Sequence, residues 1–136
     1  KDILFETDLE NNYYEVLDLN IGICRLSLAS LKNVLPQNKK IKVATKYPTF
    51  AKKYFSKLSK DIDVVILKGA IEIAPILGLS DCIVDLVQTG KTLEENGLKE
   101  LDLISDISSR LIVNKSSFKL NNKFLKDFVN KLKKEV

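Results

Sequence analysis

The sequence predicts an α/β fold with mostly parallel sheets, and three observations support this prediction. Short apolar segments of strand length alternate with segments whose apolar residues recur at helical spacing. Residues 63–67 are continuously apolar after the first, which is typical of a strand buried on both faces of a parallel sheet. The chain has 136 residues, 45% of them apolar, which is enough for one compact domain or two small lobes.

In the first part of the chain, three strands precede the first long helix. They are predicted at residues 14–19, 23–29 and 41–46. Residues 32–40 form a polar connector and are a candidate boundary between lobes. Pro48 suits the first turn of a helix, with Thr45 or Thr49 placed to cap it. The apolar stripe of this helix is expected in the core and comprises Phe50, Ala51, Tyr54, Phe55 and Leu58.

The second part of the chain continues the alternation of strands and helices. Its strands are predicted at residues 63–67, 82–87, 101–107 and 110–114. A helix is predicted to begin at Gly69, with Pro75 tolerated near its first turns. A short helix follows Thr89 and is closed by Gly97. Asn121 or Asn122 caps a final helix, whose apolar stripe comprises Phe124, Leu125, Phe128, Val129 and Leu132.

The net charge of +4 is concentrated at the carboxyl end. Residues 113–136 hold seven Lys against two acidic residues, and the rest of the chain is nearly neutral. Of the 22 basic residues only two are Arg, the better donor for bidentate phosphate and base-edge contacts. We therefore interpret the basic segment as a solvated helix face and expect no nucleic-acid partner.

Composition also excludes several kinds of site. The chain has no His, which excludes Ser-His-Asp triads, HExxH zinc sites and C2H2 fingers. Cys24 and Cys82 stand far apart in apolar runs and are expected to be buried free thiols in a reducing cytosol. No apolar run has membrane-spanning length and no signal-peptide core is present, so we expect a cytoplasmic protein without a membrane partner. Since the chain contains no Met, its first part is expected to be missing from this sequence.

The most informative segment follows predicted strand 82–87. A bound phosphate needs inward-pointing amides, a residue without Cβ, hydroxyl donors and positive charge. The turn offers all of these at the start of a helix, and Asp85 just before it is placed to accept hydrogen bonds from two ribose hydroxyls. The alternative is an ordinary helix cap with a glycine turn. The candidate residues for a ribose-5-phosphate site are Asp85, Gln88, Thr89, Gly90, Lys91 and Thr92.

Four further residues are candidates for contacts with ATP or pyrophosphate. Arg25 lies on an apolar strand, where a surface salt bridge is the alternative. Lys46 and Tyr47 end a strand, and ligands in this fold class bind at the carboxyl ends of strands. Glu72 lies at a predicted helix start, where it either approaches a magnesium-bound pyrophosphate or serves the helix dipole alone. No metal site made by the protein alone is predicted.

A wider pattern resembles the signature of one enzyme family. Its residues are Glu72, Gly78, Ser80, Ile83, Asp85, Leu86, Thr89, Gly90, Thr92 and Leu93. Together they resemble the signature of the ATP phosphoribosyltransferases, which perform the first step of histidine biosynthesis. Further blocks similar to that family are residues 17–26, 43–48, 94–98 and 107–115. The family's amino-terminal Pro-Lys-Gly-Arg type motif is absent, and the chain stops without the regulatory domain of the long form. The chain therefore resembles the short form.

The resemblance implies a two-lobed fold like that of type II periplasmic binding proteins, with a cleft between the lobes. Residues 1–32 and 107–136 would form the first, incomplete lobe. Residues 33–106 would form the second lobe and carry the phosphoribosyl-phosphate loop. In the family, N1 of the ATP adenine attacks C1 of 5-phosphoribosyl 1-pyrophosphate and pyrophosphate leaves, with Mg²⁺ bound to the substrate phosphates.

The resemblance also assigns roles and partners. Asp85 would hold the ribose hydroxyls and residues 88–92 the 5-phosphate, while the residues that perform the chemical step stay unassigned. The implied partners are ATP, 5-phosphoribosyl 1-pyrophosphate, a regulatory subunit related to histidyl-tRNA synthetase, and further copies of the chain. The alternative is a non-catalytic two-lobed module that binds a phosphorylated small molecule.

Overall fold

The computed structural model describes residues 2–7 and 12–136, and it divides the chain into two units. The first unit contains Lys1–Ile23 and Ile107–Val136, and the second contains Cys24–Asp106. Residues 1 and 8–11 of the predicted first lobe lie outside the described residues. The predicted first boundary followed residue 32, whereas the structure groups residues 24–32 with the second unit, because this strand belongs to that unit's sheet.

All seven predicted strands are confirmed, each to within two residues at either end. They are β1 (Tyr13–Asp18), β2 (Cys24–Ser30), β3 (Ile41–Thr45), β4 (Ile62–Ile66), β5 (Cys82–Val87), β6 (Lys99–Ile107) and β7 (Arg110–Asn114). The helices of the described residues are α1 (Asp2–Glu6), α2 (Pro48–Lys57), α3 (Lys91–Glu95), α4 (Lys115–Leu120) and α5 (Asn122–Leu132), with a 3-10 turn at Ile71–Ile73. No helix of the described residues combines the length and the apolar character that a membrane crossing needs.

The second unit is built on a mixed five-stranded sheet in the order β4-β3-β5-β2-β6. Strand β3 runs parallel to both β4 and β5, while β2 is antiparallel to β5. The parallel part of the sheet confirms the prediction. The core of the unit is formed by apolar side chains with almost no exposed surface, among them Leu26, Ile41, Val43, Phe55, Ile83 and Val84.

Two expectations for this unit were wrong in detail. Strand β4 is parallel as predicted, but it lies at the sheet edge and Ile66 is 65% exposed, so it is not buried on both faces. In the apolar stripe of α2, the predicted burial is confirmed for Phe50, Ala51 and Phe55. Leu58 is 47% exposed, because α2 ends one residue before it.

The helix predicted to begin at Gly69 does not form. The structure has a single 3-10 turn there, preceded by Ala70 in the left-handed conformation at φ +52°. Pro75 has no amide hydrogen to donate, and Gly78 adopts φ +71°, so the segment folds back instead of extending a helix. This tight segment carries Glu72 and leads directly into β5.

The first unit pairs β1 with β7 in an antiparallel ladder, so the parallel arrangement belongs to the second unit. Arg110 joins the two strands through ion pairs with Glu15 (3.2 Å) and Asp18 (2.8 Å). The final helix α5 forms as predicted after Asn121, although that side chain makes no capping hydrogen bond. No residue of the α5 stripe is fully buried, and Phe124, which is 70% exposed, stacks on Phe128.

Candidate active site

The candidate site lies at the carboxyl ends of the parallel strands β3 and β5. Because β3 and β5 are adjacent and parallel, the residues that follow them emerge at the same edge of the sheet. The hydroxyl of Thr45, the last residue of β3, donates to the Val84 carbonyl at 2.6 Å and accepts from the Tyr47 amide at 2.8 Å. This bridge fixes the turn that carries exposed Lys46 beside the strand that carries Asp85.

A cavity of about 300 Å³ opens where β5 ends. It is lined by Glu72, Asp85, Leu86, Val87, Gln88, Thr89, Gly90, Thr92 and Leu93. The fold therefore brings five of the six candidate ribose-phosphate residues around one cavity, together with the candidate Glu72. Its volume is at the lower end of the range of about 300–1,000 Å³ that is usual for small-molecule sites.

Asp85 is half-buried in the wall of this cavity, and its Oδ1 accepts a hydrogen bond from the Leu86 amide at 2.8 Å. Burial raises the pKa of Asp85 above its ordinary value, and the nearby Glu72 carboxylate raises it further. The Leu86 amide and the Lys46 ammonium group act in the opposite direction. Asp85 thus lies within electrostatic reach of the Glu72 carboxylate and of the Lys46 ammonium group.

The loop after β5 turns sharply at a glycine and leads into a short helix. Gly90 adopts φ +86°, a left-handed conformation that favours glycine, and leads into α3. The Lys91 amide donates to the Thr89 hydroxyl at 3.3 Å, and the Glu94 amide closes the first turn on the Gly90 carbonyl at 3.1 Å. The first amides of a helix have no intrahelical acceptor, and the Thr89 hydroxyl supplies one for Lys91.

Four candidate residues lie outside the lining of this cavity, and exposed Lys46 is one of them. The Lys91 side chain is exposed, with its ammonium group 3.8 Å from Glu95. Tyr47 is 5% exposed and packs edge-on against Phe50, so its ring contributes to the core. Arg25 forms an ion pair with Glu100, as the alternative interpretation of this residue expected.

Sequence reasoning missed the contact of Glu100 with Arg25 and that of Ser27 with Glu100. Glu100 lies on β6, and the Ser27 hydroxyl donates to it at 2.6 Å. No local motif points to Glu100, because it is brought to Arg25 by the order of strands in the sheet. A signal for Ser27 was available, since a serine within an otherwise apolar strand needs a hydrogen-bond partner when it is buried.

Comparison with known proteins shows the family of the chain. The family model described as ATP phosphoribosyltransferase matches residues 1–134. The ATP phosphoribosyltransferase of Clostridium kluyveri is 46% identical over 138 residues, covering 100% of this chain and 62% of that protein. The chain thus spans less than two thirds of the length of this relative.

Solved structures show the same fold. The ATP phosphoribosyl transferase (HisG:HisZ) complex from Thermotoga maritima matches with a TM-score of 0.88 at 33% identity, over 98% of this chain and 66% of that chain. A periplasmic binding protein of an ABC transporter from Brucella ovis matches with a TM-score of 0.55 at 12% identity, over 81% of this chain and 39% of that one. The second likeness concerns the fold alone and confirms the predicted fold class. With the family model matched across nearly its whole length, the chain belongs to the ATP phosphoribosyltransferase family.

Proposed function

We propose that the whole protein transfers the phosphoribosyl group of 5-phosphoribosyl 1-pyrophosphate to N1 of ATP and releases pyrophosphate, the first step of histidine biosynthesis. The observation that carries this proposal is the cavity at the end of β5, which gathers Asp85, Gln88, Thr89, Gly90 and Thr92. The two units of the chain would correspond to parts of the two predicted lobes. The phosphoribosyl-binding residues would all belong to the second unit.

Within this cavity, different residues would bind different parts of the substrate. The carboxylate of Asp85 would accept hydrogen bonds from the ribose hydroxyls, since an ionised carboxylate accepts without donating. The amides and hydroxyls of residues 88–92 would bind the 5-phosphate, and the left-handed Gly90 would let the backbone approach its oxygens closely. Exposed Lys46 would add positive charge beside Asp85.

The reaction itself forms one bond and breaks one at the same carbon. The lone pair of adenine N1 forms the new bond to C1, and the bond from C1 to the pyrophosphate oxygen breaks with its electron pair leaving on pyrophosphate. Positive charge develops at C1 as that bond breaks, and carboxylates placed nearby stabilise such charge. A ring nitrogen with a free lone pair requires no general base, so the missing histidine is no obstacle.

The donor set of the cavity fits a magnesium ion that arrives with the substrate. Among the described residues, no group of three or more His, Cys, Asp or Glu could hold a metal ion. Glu72 and Asp85 supply carboxylate oxygens, the donors Mg²⁺ prefers, and one or two carboxylates with substrate phosphates are its usual protein environment. When bound, the ion would neutralise charge on the leaving pyrophosphate.

The proposed assembly and location are supported by the same family membership. The related Thermotoga maritima structure is a HisG:HisZ complex. We therefore propose that the whole protein works in the cytoplasm with a regulatory subunit related to histidyl-tRNA synthetase, and that it also self-associates.

The test is pyrophosphate release from ATP and 5-phosphoribosyl 1-pyrophosphate by the whole protein with its regulatory subunit. We expect turnover by the wild type, and a loss of at least about tenfold in kcat/KM for 5-phosphoribosyl 1-pyrophosphate in Asp85→Ala and in Thr92→Ala. The matched control is Asp63→Ala, which removes an exposed carboxylate paired with Lys40 at 2.9 Å in the same unit.

Three outcomes would contradict this proposal in different ways. A wild type that releases no pyrophosphate would overturn the activity. Binding of 5-phosphoribosyl 1-pyrophosphate without turnover would favour the non-catalytic binding module. An active wild type with unchanged kinetics in both Asp85→Ala and Thr92→Ala would overturn the assignment of the loop.

A further inference from the structure

The guanidinium group of Arg25 contacts the 88–92 loop. Its Nε donates to Glu100 Oε1 at 2.6 Å and its Nη2 to Glu100 Oε2 at 2.7 Å, a bidentate ion pair. Its Nη1 donates to the backbone carbonyl of Gln88 at 3.2 Å. One arginine therefore connects a carboxylate on β6 to the first residue of the loop.

The sheet order explains how one side chain reaches both groups. Strand β2 lies between β5 and β6, and Arg25 on β2 is paired directly with Val87, the last residue of β5. The loop begins at the next residue, Gln88. A Cβ atom built on Gly90 would lie 3.7 Å from Arg25 Nη2, so the guanidinium group also packs against the turn of the loop.

The contact with Gln88 matters for the chemistry of the loop. A backbone carbonyl oxygen carries partial negative charge, so it must point away from a bound phosphate while neighbouring amides point towards it. The hydrogen bond from Arg25 holds the Gln88 carbonyl on the side of the guanidinium group. The orientation of the whole peptide group is thereby fixed before any ligand binds.

Glu100 holds the guanidinium group of Arg25 in position. Charge-assisted bidentate bonds define both the position and the plane of an arginine. The Ser27 hydroxyl donates to the same Glu100 oxygen at 2.6 Å, and Ser27 itself is buried. The hydrogen bond from Arg25 holds the pKa of Glu100 below its ordinary value, so this carboxylate stays ionised at neutral pH.

We propose that Glu100 is a positioning residue for the 88–92 loop, acting through Arg25 and the Gln88 carbonyl. The identity of the ligand rests on the proposed function, but the effect on the loop does not. Glu100 is assigned no contact with substrate.

The first experiment measures the loop without ligand, by amide hydrogen exchange of the whole protein over residues 86–93. We expect faster exchange in Glu100→Gln, which loses the charge-assisted bidentate pair, and a smaller increase in Ser27→Ala. The control Asp63→Asn breaks a single exposed ion pair elsewhere in the same unit and should leave these amides unchanged. Unchanged exchange in Glu100→Gln would overturn the proposal, whatever the protein binds.

The second experiment measures steady-state kinetics in the same variants. In Glu100→Gln we expect KM for 5-phosphoribosyl 1-pyrophosphate to rise about tenfold, since a displaced loop amide weakens phosphate binding. KM for ATP should stay within about twofold, and Glu100→Asp, which keeps the charge, should recover part of the loss. Equal rises in both KM values would indicate general destabilisation and overturn the positioning role. A wild type without turnover would instead count against the proposed function, and the exchange experiment would still decide the role of Glu100.

Discussion

The hydroxyl of Thr45 joins the ends of two parallel strands by donating to the carbonyl of Val84 at 2.6 Å. The same hydroxyl accepts a hydrogen bond from the Tyr47 amide at 2.8 Å. Thr45 is wholly buried, so water cannot replace either partner if the hydroxyl is removed. The bridge holds the turn after β3, with Lys46, beside the end of β5, with Asp85.

Replacing Thr45 by Val should therefore lower the free energy of unfolding. Val matches the shape of Thr but removes both hydrogen bonds of the buried hydroxyl, at a cost of about 1–3 kcal/mol. Thr45→Ser keeps the hydroxyl and should be less destabilising. Urea denaturation of both variants measures the difference, and a Val variant as stable as the Ser variant would show that the bridge contributes nothing.

The two cysteines should differ in reactivity. Burial raises the pKa of Cys82 to about 12, whereas Cys24 is half-buried. Since the thiolate is the reactive form, a maleimide at about pH 8 should modify Cys24 first and reach Cys82 after unfolding. Peptide mass spectrometry over time, with and without urea, reads out the order. Equally fast modification of both thiols in native protein would contradict the burial of Cys82.

The strands and the grouping of the loop residues around one cavity could be predicted because their signals are local. A strand is read from a few consecutive apolar residues between turn residues, as in β5. The loop residues from Asp85 to Thr92 are close in sequence, so the fold had little freedom to separate them. Their grouping around one cavity follows from a strand, a left-handed glycine and a short helix in succession.

The features that were missed depend on the order of strands or on single backbone angles. The apolar run of β4 is the same whether the strand is central or at an edge, so Ile66 was expected to be buried. Glu100 meets Arg25 across two neighbouring strands, 75 residues apart in sequence. Helix propensity does not predict the left-handed conformation of Ala70. Alanine has the highest helix propensity of all residues, so a helix was expected in this segment.

The raised pKa of Asp85 should lower the free energy of unfolding at neutral pH. Its pKa is raised in the folded state, so the folded protein keeps this proton to a higher pH than the unfolded chain does. The free energy of unfolding therefore falls as pH rises from the ordinary carboxyl pKa to the raised value, and the cost persists above it. Asp85→Asn removes this cost, so its stability relative to wild type should increase across that window and then level off.

Urea denaturation of Asp85→Asn and wild type from about pH 3 to pH 7 tests this linkage. Glu72→Gln is the matched variant, because removing the Glu72 charge removes one cause of the raised pKa of Asp85 and should narrow the window. A stability difference between Asp85→Asn and wild type that does not change with pH would contradict the raised pKa.

Two left-handed glycines allow the effect of backbone strain on stability to be measured separately from the effect of the loop on ligand binding. Gly90 and Gly78 adopt φ +86° and φ +71°, and a Cβ atom would clash with nothing at either position. Gly90→Ala and Gly78→Ala should therefore each lower the free energy of unfolding by about 1–2 kcal/mol through backbone strain alone. Only Gly90→Ala should also raise KM for 5-phosphoribosyl 1-pyrophosphate, because only Gly90 lines the cavity. Thermal denaturation measures the loss of stability, and steady-state kinetics measures KM. A similar rise in KM for the two variants would mean that backbone strain, and not the shape of the loop, weakens phosphate binding.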